Sequence, residues 1–522
     1  MCLFYNKNRY SQMGASMKNK PFFYDITLRD GNQSLKRPWN LKEKEYVFRL
    51  LMDLKIPAVE VGFPASSEMD FEASRRLAEI APENVTVSGL ARAVESDIIT
   101  AVKAIEPANS KRLHTFIAMS PFNMQYVLNK TPEQVRKTAI EAVSFAKEKL
   151  GKNANIEFSA EHFGDCRENL DWVIESFKEV VKAGATTINL PNTVERTRVS
   201  VFTEMVEKVY NALPKDIVIS VHCHNDLGMA TATTVESYFK GAVQLETALN
   251  GLGERAGNTN FYEVAVALHN AGIDTGIDYE KIYETALIIS DMAKVPIYDK
   301  APLIGPEALA HRSGIHQDGA IKTQGMEKGA YRPINPSLIG RKDDEKIGVT
   351  SQSGKTAVYE VITRAGYPIS IQEAERITPI VKAAAEKGGE LSTENLLKIY
   401  HSEVYDVKGA FRLISFEKSG GSGYELHFGH KDREFNVNCS GNGPLDACLN
   451  ALKSSGFEKK LIHYEQKALD EENMGSGAMA MTVIKFEAPN GKPIISRGFD
   501  ESTAQANVKA IFNGLNIIEK LK

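Results

Sequence analysis

The sequence is poor in the features that mark several large classes of protein. Its 522 residues include five cysteines, an odd number without CxxC spacing, which excludes a disulfide scaffold and an all-cysteine zinc site. No apolar run reaches the roughly 18–20 residues of a membrane-spanning helix. With 63 Lys+Arg against 67 Asp+Glu, the charge is too balanced to predict a nucleic-acid partner. We expect a cytoplasmic protein without a membrane or nucleic-acid partner.

The first 20 residues are basic and contain no acidic residue. They lack the apolar core and the small-residue cleavage site of a secretory signal. We expect a disordered tail over residues 1–20, with Met13 or Met17 as alternative start positions.

A regular alternation of strands and helices begins at residue 21. Eight short β-rich runs have helical stretches between them, which include 42–54, 132–150 and 169–184. The runs are 22–28, 58–63, 85–90, 112–118, 155–160, 186–191, 217–223 and 244–249. This alternation predicts an α/β fold, a closed (β/α)8 TIM barrel over residues 21–300. An open doubly wound sheet is the alternative, but the first run is not followed by its Gly-rich phosphate turn.

The remaining sequence predicts two further parts. Residues 301–404 are polar and turn-rich at first and then helical over 371–386 and 392–402, which indicates a helical linker subdomain. From residue 405, alternating strand patterns flank helical stretches at 444–456 and 501–515. We interpret residues 405–522 as a separate C-terminal α+β domain.

Polar or ionisable residues lie at or near the end of nearly every predicted barrel strand. In this fold, functional groups gather at the C-terminal ends of the strands. The residues are Arg29, Asp30, Glu60, Arg92, His114, Glu161, Asn192, Thr193, His222, His224, Glu254, Arg255 and Asn258. We therefore expect an active site at this end of the barrel.

The clearest chemical signal is His222-Cys223-His224 on the seventh predicted strand. Side chains alternate along a strand, so both imidazoles face one side and Cys223 faces the other. With a carboxylate of Asp30 and an amide oxygen of Asn258, they would form a mixed N/O site for Mg²⁺, Mn²⁺ or Zn²⁺, among which the ligand types do not choose. The alternative is a pair of hydrogen-bonded core histidines, which the position before NDLG at a strand end disfavours.

Several residues also have plainer interpretations when each is taken alone. Arg29 and Asp30 would form a simple ion pair, His114 would be a hydrogen-bonded core histidine, and His316 would lie on the surface. The Gly-rich segment GLGERAGN (251–258) is either a phosphate cradle or an ordinary tight loop.

Six motifs in the predicted barrel occur together and in order: LRDGNQ (28–33), VEVGFPASS (59–67), LHTFIA (113–118), INLPNTVE (188–195), SVHCHNDLG (220–228) and GLGERAGN (251–258). With them the sequence resembles the 2-isopropylmalate synthases, a family within the metal-dependent acyl-CoA/2-oxoacid condensing lyases and synthases. SGIHQDG (313–319) and YRPINP (331–336) resemble that family's linker subdomain. SGNGPLDA (440–447) and AQANVKAIFNGLN (504–516) resemble its leucine-sensing regulatory domain.

The resemblance assigns roles to the residues at the barrel mouth. It implies that Asp30, His222, His224 and Asn258 bind a divalent metal. It also implies that Arg29 binds the substrate and neutralises charge that develops on oxygen.

Further residues receive roles in substrate binding and proton transfer from the same resemblance. His114, Glu161 and Thr193 would line the 2-oxoacid pocket, with Glu161 also among the catalytic groups. His316 and Tyr331, reaching over from the partner subunit of a homodimer, would assist proton transfer.

The resemblance also implies the reaction, which is a Claisen-type condensation of acetyl-CoA with 3-methyl-2-oxobutanoate, followed by thioester hydrolysis. This is the first committed step of leucine biosynthesis, and leucine would be an effector. Two departures from the family pattern concern regulation, because EENMGSGAMA (471–480) and RGFDESTAQA (497–506) replace its usual Gly/Asp loop and acidic stretch. A third departure from the family pattern is in the sixth-strand motif LPNTVERTR, in which Asn192 replaces the commoner Asp before Thr193.

Other functions fit parts of the sequence. Citramalate and homocitrate synthases would use pyruvate or 2-oxoglutarate as acceptor, and Arg92 is a candidate contact for the second carboxylate of 2-oxoglutarate. A 3-hydroxy-3-methylglutaryl-CoA lyase would need a catalytic cysteine loop and no C-terminal domain. A non-catalytic leucine-binding sensor would be expected to have lost its metal ligands, and all four are present.

Overall fold

The computed structural model describes residues 20–341, 346–421, 423–468, 480–487 and 493–521. These residues fall into two compact units. The first unit comprises residues 20–308 and 334–341, and the second comprises residues 309–333 and the described residues from 346 onward. The predicted tail lies outside the described residues except for Lys20, and so does the segment EENMGSGAMA except for Ala480. The division into domains at residues 300 and 404 stays a prediction.

The first unit is built on eight parallel strands that close into a barrel in chain order. Strand β1 pairs with both β2 and β8, which completes the ring. The strands are β1 Phe22–Asp25, β2 Ala58–Gly62, β3 Thr86–Arg92, β4 Ser110–Ala118, β5 Ile156–Glu161, β6 Thr187–Asn192, β7 Val218–Cys223 and β8 Gln244–Thr247. The predicted barrel is confirmed, and the open doubly wound sheet is excluded.

Helices surround the barrel and bury their apolar faces against it. They are Leu41–Asp53, Glu68–Ile80, Glu95–Ile105, Pro132–Leu150, Leu170–Ala183, Val199–Ala212, Ala230–Phe239, Phe261–Asn270 and Ile282–Ala293. Thr131 starts one of them by accepting a hydrogen bond from the Gln134 N–H, and the Gln134 side chain accepts one from the Thr131 N–H. Among the described residues, no helix combines the length and apolarity needed to cross a bilayer.

The interior of the barrel carries polar side chains below its mouth. Along β2, Val59 and Val61 belong to the apolar core between sheet and helices. Alternation turns Glu60 to the opposite side, where its carboxylate accepts hydrogen bonds from Tyr24 and Arg29. The buried interior can therefore hold charged groups, because they are paired there.

The first strand is shorter than predicted. The expected strand over 22–28 ends at Asp25, and Thr27–Gly31 forms a π-helical turn. The cause lies in Asp25, whose Oδ1 and Oδ2 accept hydrogen bonds from the Thr27 N–H and hydroxyl, each over 2.9 Å. Arg29 and Asp30 thus lie on a tight turn after the strand, and not at its end.

The second unit contains helices and two antiparallel sheets. The helices Gly314–Lys322, Lys355–Arg364, Ile371–Gly388 and Thr393–Tyr400 accompany the two-residue parallel strands β9 (Ala310–His311) and β10 (Lys346–Ile347). Each of the two three-stranded sheets is followed in the chain by a helix. The first consists of β11 Phe411–Gly420, β12 Gly423–His430 and β13 Arg433–Ser440, before helix Pro444–Ser454. The second consists of β14 Leu461–Ala468, β15 Ala480–Glu487 and β16 Pro493–Asp500, before helix Thr503–Lys520. The predicted fold class, with a helical segment and then an α+β part, is confirmed.

A buried ion pair joins the helical segment of this unit to its second sheet. Arg497 on β16 donates from Nε and Nη2 to the two carboxylate oxygens of Glu373, both over 2.9 Å. Glu373 also completes a capping box with Ser370 at the start of helix Ile371–Gly388. One carboxylate therefore caps a helix and fixes a strand of the neighbouring sheet.

Candidate metal centre

Three ionisable side chains converge at the mouth of the barrel. Asp30, His222 and His224 each offer a ligand atom, and these atoms lie within 4.8 Å of one another. The two imidazoles approach with their Nε2 atoms 3.1 Å apart. The predicted shared face of the two histidines is present, and Cys223 between them is buried in the apolar core outside the sheet.

Asn258 lies beside this cluster with one free polar atom. Its Nδ2 donates to Asp30 Oδ1 over 3.0 Å and to the Leu252 carbonyl over 2.9 Å. These bonds fix the orientation of the amide and leave Oδ1 buried, without a hydrogen-bond partner in the described part of the chain. A buried oxygen without a partner is costly unless something binds it. Two imidazoles, a carboxylate and this oxygen fit a divalent cation.

The electrostatics of the cluster favour the ligating forms. Burial lowers the pKa of both His222 and His224 to about 4, so both rings are neutral near pH 7. Burial acts to raise the pKa of Asp30, but Arg29 and the two imidazoles outweigh it and hold that pKa well below its usual range. Neutral imidazoles and an ionised carboxylate are the forms that bind metal.

Arg29 joins the cluster to the barrel interior. Its Nε donates to Glu60 Oε2 over 2.5 Å, and its Nη1 donates to Asp30. The simple ion pair with Asp30 expected from the sequence therefore exists, within a larger buried network. The guanidinium also lines the cavity, where it can meet an anionic group.

A cavity of about 320 Å³ opens above these groups. Its wall brings together nine of the residues predicted at this end of the barrel: Arg29, Asp30, His114, Glu161, Thr193, His222, His224, Glu254 and Arg255. Apolar side chains complete part of the wall: Phe63, Leu90, Phe116 and Pro191. The cavity thus combines cationic and metal-ligating groups with an apolar surface.

His114 has protein partners for both ring nitrogens. Nδ1 lies 2.6 Å from Glu60 Oε1, and Nε2 lies 2.7 Å from the Ser159 hydroxyl. Burial acts to lower its pKa, but Glu60, Glu157 and Glu246 together outweigh burial and raise it. The hydrogen-bonded core histidine and the pocket residue expected from the sequence are therefore compatible, because the ring also lines the cavity.

Glu161 is the last residue of β5, and Thr193 is the first residue after the neighbouring strand β6; both lie on the cavity wall. Burial raises the pKa of the Glu161 carboxyl, against a lowering effect of His162. The Thr193 hydroxyl accepts a hydrogen bond from the His162 N–H over 2.8 Å, and its carbonyl accepts one from Arg255. The loops after β5, β6 and β8 are thereby tied together around the cavity.

His316 and Tyr331 lie together in the second unit, whereas the metal ligands belong to the first. Their ring centroids are 4.3 Å apart. The contact needs the absence of a side chain at Gly319, because a Cβ there would lie 2.5 Å from the Tyr331 ring. The structure therefore pairs these two predicted residues with each other.

The structure adds Glu246 to the residues predicted for the site and gives Arg92 a different contact from the predicted one. Glu246, whose carboxylate lies 2.9 Å from His222 Nδ1, was not among the predicted residues. The inward alternation of QLET along β8 was the signal that could have found it. Arg92, expected as a contact for a second substrate carboxylate, instead donates to Asp97 over 2.7 Å and is not among the residues lining the cavity.

Family models match most of the chain. Residues 20–289 match the family described as HMGL-like. Residues 308–363 match the "alpha-isopropylmalate synthase, post-catalytic domain-like" family. Residues 390–519 match the LeuA allosteric (dimerisation) domain.

Curated relatives resemble the chain over most of its length. A 2-isopropylmalate synthase 2 of Leptospira interrogans is 52% identical over 381 residues, which are 73% of this chain and 89% of that protein. The 2-isopropylmalate synthase of Carboxydothermus hydrogenoformans is 34% identical over 504 residues, covering 94% and 96% of the two chains. Among solved structures, an HMG-CoA lyase from Brucella melitensis has a TM-score of 0.46 at 19% identity, and the match covers 53% of this chain and 99% of that one.

Proposed function

The chain belongs to the 2-isopropylmalate synthase family, and on that premise we propose that it condenses acetyl-CoA with 3-methyl-2-oxobutanoate and hydrolyses the thioester. It is then an acyltransferase of leucine biosynthesis. The single observation that carries the proposal is the convergence of Asp30, His222 and His224 at the mouth of the barrel. The relatives do not favour pyruvate or 2-oxoglutarate as acceptor, or a non-catalytic leucine sensor.

We assign the metal ligands to Asp30, His222, His224 and the Oδ1 atom of Asn258. The free, buried Oδ1 and the two facing Nε2 atoms support this assignment. A bound divalent cation supplies Lewis-acid activation of the 2-oxoacid, which makes its keto carbon electrophilic. The mixed N/O set suits Mg²⁺ or Mn²⁺ and also accepts Zn²⁺.

Arg29 is assigned to charge stabilisation. Its guanidinium is held by Glu60 and Asp30 and lines the cavity, so its position is fixed before substrate arrives. When the enolate carbon attacks the keto carbon, negative charge develops on the former keto oxygen. A donor already aimed at this oxygen commonly contributes on the order of 10²–10³ in rate.

Proton transfer is assigned to His316 and Tyr331, with Glu161 as the next candidate. The base removes a methyl proton of acetyl-CoA, and imidazole is the side chain that most often serves as a general base. We propose that the His316–Tyr331 pair comes from the partner subunit of a homodimer. The match to a domain described as allosteric and dimerising supports the dimer and also leucine as the effector.

The residues that line the cavity support 3-methyl-2-oxobutanoate as the acceptor substrate. His114, Glu161 and Thr193 are assigned to the polar part of the 2-oxoacid pocket. Phe63, Leu90, Phe116 and Pro191 give an apolar surface for a branched side chain. An assay of 3-methyl-2-oxobutanoate, pyruvate and 2-oxoglutarate, read by free thiol and run with and without leucine, tests both acceptor and effector. We expect the branched acid to be preferred and leucine to inhibit.

A reducing, cytoplasmic location is proposed as well. The described cysteines Cys166, Cys223, Cys439 and Cys448 are all unpaired, which is usual where thiols are kept reduced. Fractionation of cells that make the protein tests this location.

The experiment for the proposed function compares His222→Ala with Cys223→Ala. The first removes an assigned ligand, and the second changes the neighbour on the opposite face of β7. We expect His222→Ala to lose bound metal and condensation together, and Cys223→Ala to keep both. Full activity and ordinary metal content in His222→Ala would mean that the site is wrong.

A further inference from the structure

Glu246 stands directly behind one of the assigned ligands. It is the third residue of β8, and the parallel register pairs its Cα with that of His222 on β7. The carboxylate is buried, with 1% of the residue exposed. Its Oε2 lies 2.9 Å from His222 Nδ1, within hydrogen-bond distance.

We propose that Glu246 is a positioning residue for the metal site, which fixes the ring and the tautomer of His222. The inference rests on the metal-dependent function proposed above. A carboxylate accepts the hydrogen of Nδ1, so the lone pair of the neutral imidazole is left on Nε2. That Nε2 is the atom that faces His224 in the cluster.

The two histidines of the cluster are held differently. His224 Nδ1 is buried and has no hydrogen-bond partner in the described part of the chain. His222 has a carboxylate partner on the adjacent strand, where backbone pairing limits its movement. The orientation of the His222 ring therefore depends on its contact with Glu246. Partners behind metal-binding histidines commonly change metal affinity about 10–100-fold.

A second buried glutamate in the same barrel provides a matched control. Glu157 on β5 accepts hydrogen bonds from Arg112 over 3.0 Å and from Gln244 over 2.7 Å. It has the same side chain and the same complete burial, but none of its hydrogen bonds goes to an assigned ligand. A general loosening of the barrel interior would affect the Glu157 and Glu246 variants alike.

The test measures Mn²⁺ affinity of the full-length protein from the electron paramagnetic resonance signal of free Mn²⁺. Glu246→Leu removes the acceptor, and we expect the dissociation constant to rise about 100-fold. Glu246→Gln retains an amide oxygen that can accept from Nδ1, and we expect a rise of about tenfold. Glu157→Gln should stay within twofold of the unsubstituted protein. Far-UV circular dichroism checks the fold of each variant.

Two results would overturn the positioning role. One is Mn²⁺ binding by Glu246→Leu within twofold of the unsubstituted protein. The other is an equal loss in Glu157→Gln and Glu246→Gln, which would indicate a merely structural effect. His222→Ala separates this inference from the metal site itself. If that variant keeps its metal, the site is wrong, whereas if it loses metal and Glu246→Leu does not, only the role of Glu246 fails.

If the Glu246 variants do not fold, the tautomer of His222 can be measured in the unsubstituted protein. With ¹⁵N-labelled histidine, long-range ¹H–¹⁵N spectra identify the protonated ring nitrogen, and His222→Ala assigns the signal. We expect the hydrogen of His222 on Nδ1 in the metal-free protein, where no metal at Nε2 dictates the tautomer and the contact with Glu246 alone favours it. A hydrogen on Nε2 would contradict the proposal.

Discussion

The side chain of Asn258 donates a hydrogen bond to Asp30 over 3.0 Å, although the two residues are 228 positions apart in the chain. Asp30 follows β1 and Asn258 follows β8, and these strands pair to close the barrel. Closure of the barrel therefore brings together two of the four assigned ligands. The metal site depends on the complete ring of strands, and no single segment contains it.

Gly253 gives Asn258 its space, so we predict that Gly253→Ala weakens metal binding without removing a ligand. A Cβ at Gly253 would lie 2.2 Å from Asn258 Nδ2 and 3.0 Å from its backbone nitrogen, so the amide has to move. We expect Mn²⁺ affinity to fall about tenfold, as for a lost supporting contact. Gly388→Ala is the control, since a Cβ there meets no atom within 4 Å. Unchanged Mn²⁺ affinity in Gly253→Ala would contradict the assignment of Asn258.

Asp25 predicts a specific pH dependence of stability. Burial raises the pKa of its carboxyl to about 7, against the lowering effect of two hydrogen bonds from Thr27. The folded protein then holds a proton that the unfolded chain releases above about pH 4. The contribution of Asp25 to stability is therefore present at low pH and is lost as the pH rises towards 7.

Asp25→Asn, which cannot ionise, makes this effect measurable. Urea unfolding from pH 4 to 8 gives the free energy of unfolding of both proteins. We expect the unsubstituted protein to lose stability relative to Asp25→Asn across this range. The result would contradict the prediction if the difference in free energy of unfolding between the two proteins stays constant with pH or changes in the opposite direction. Asp25 would then be ionised in the folded state at low pH.

The buried pair of Arg497 and Glu373 predicts a large loss of stability when one partner is removed. Arg497→Met leaves a buried carboxylate without its counter-charge, which typically costs about 3–5 kcal/mol. The exposed pair of Lys509 and Asp500 is the control, and Lys509→Met should cost less than about 1 kcal/mol. Chemical unfolding followed by circular dichroism measures both. Equal effects would mean that burial does not govern the strength of the Arg497 pair.

Most of the barrel could be predicted from the sequence because its signals are local. The apolar runs fall on all eight strands, and Thr131 with Pro132 marks the start of a helix at the expected residue. The first strand was predicted too long, since FFYDITL continues the β-rich composition beyond Asp25. The hydrogen bonds of Asp25 to Thr27 that end it are a competing local structure that composition does not reveal.

The shared face of two residues two positions apart in the chain was predictable from alternation, whereas a contact that depends on the register between two strands was not. His222 is on β7 and His224 is the first residue after it, and the two rings share a face because the alternation of the strand continues over these two residues. Glu246 lies 24 positions further along, and its contact with His222 depends on the register of β7 and β8. His316 and Tyr331 came from the family resemblance alone, and their role stays a prediction.

The most direct test of the central claim is the anomalous scattering of Mn²⁺ in crystals of the full-length protein. We predict one strong anomalous peak at the mouth of the barrel, within coordination distance of Asp30, His222, His224 and Asn258 Oδ1. A peak elsewhere, or these four side chains without a metal between them in Mn²⁺-saturated crystals, would contradict the account.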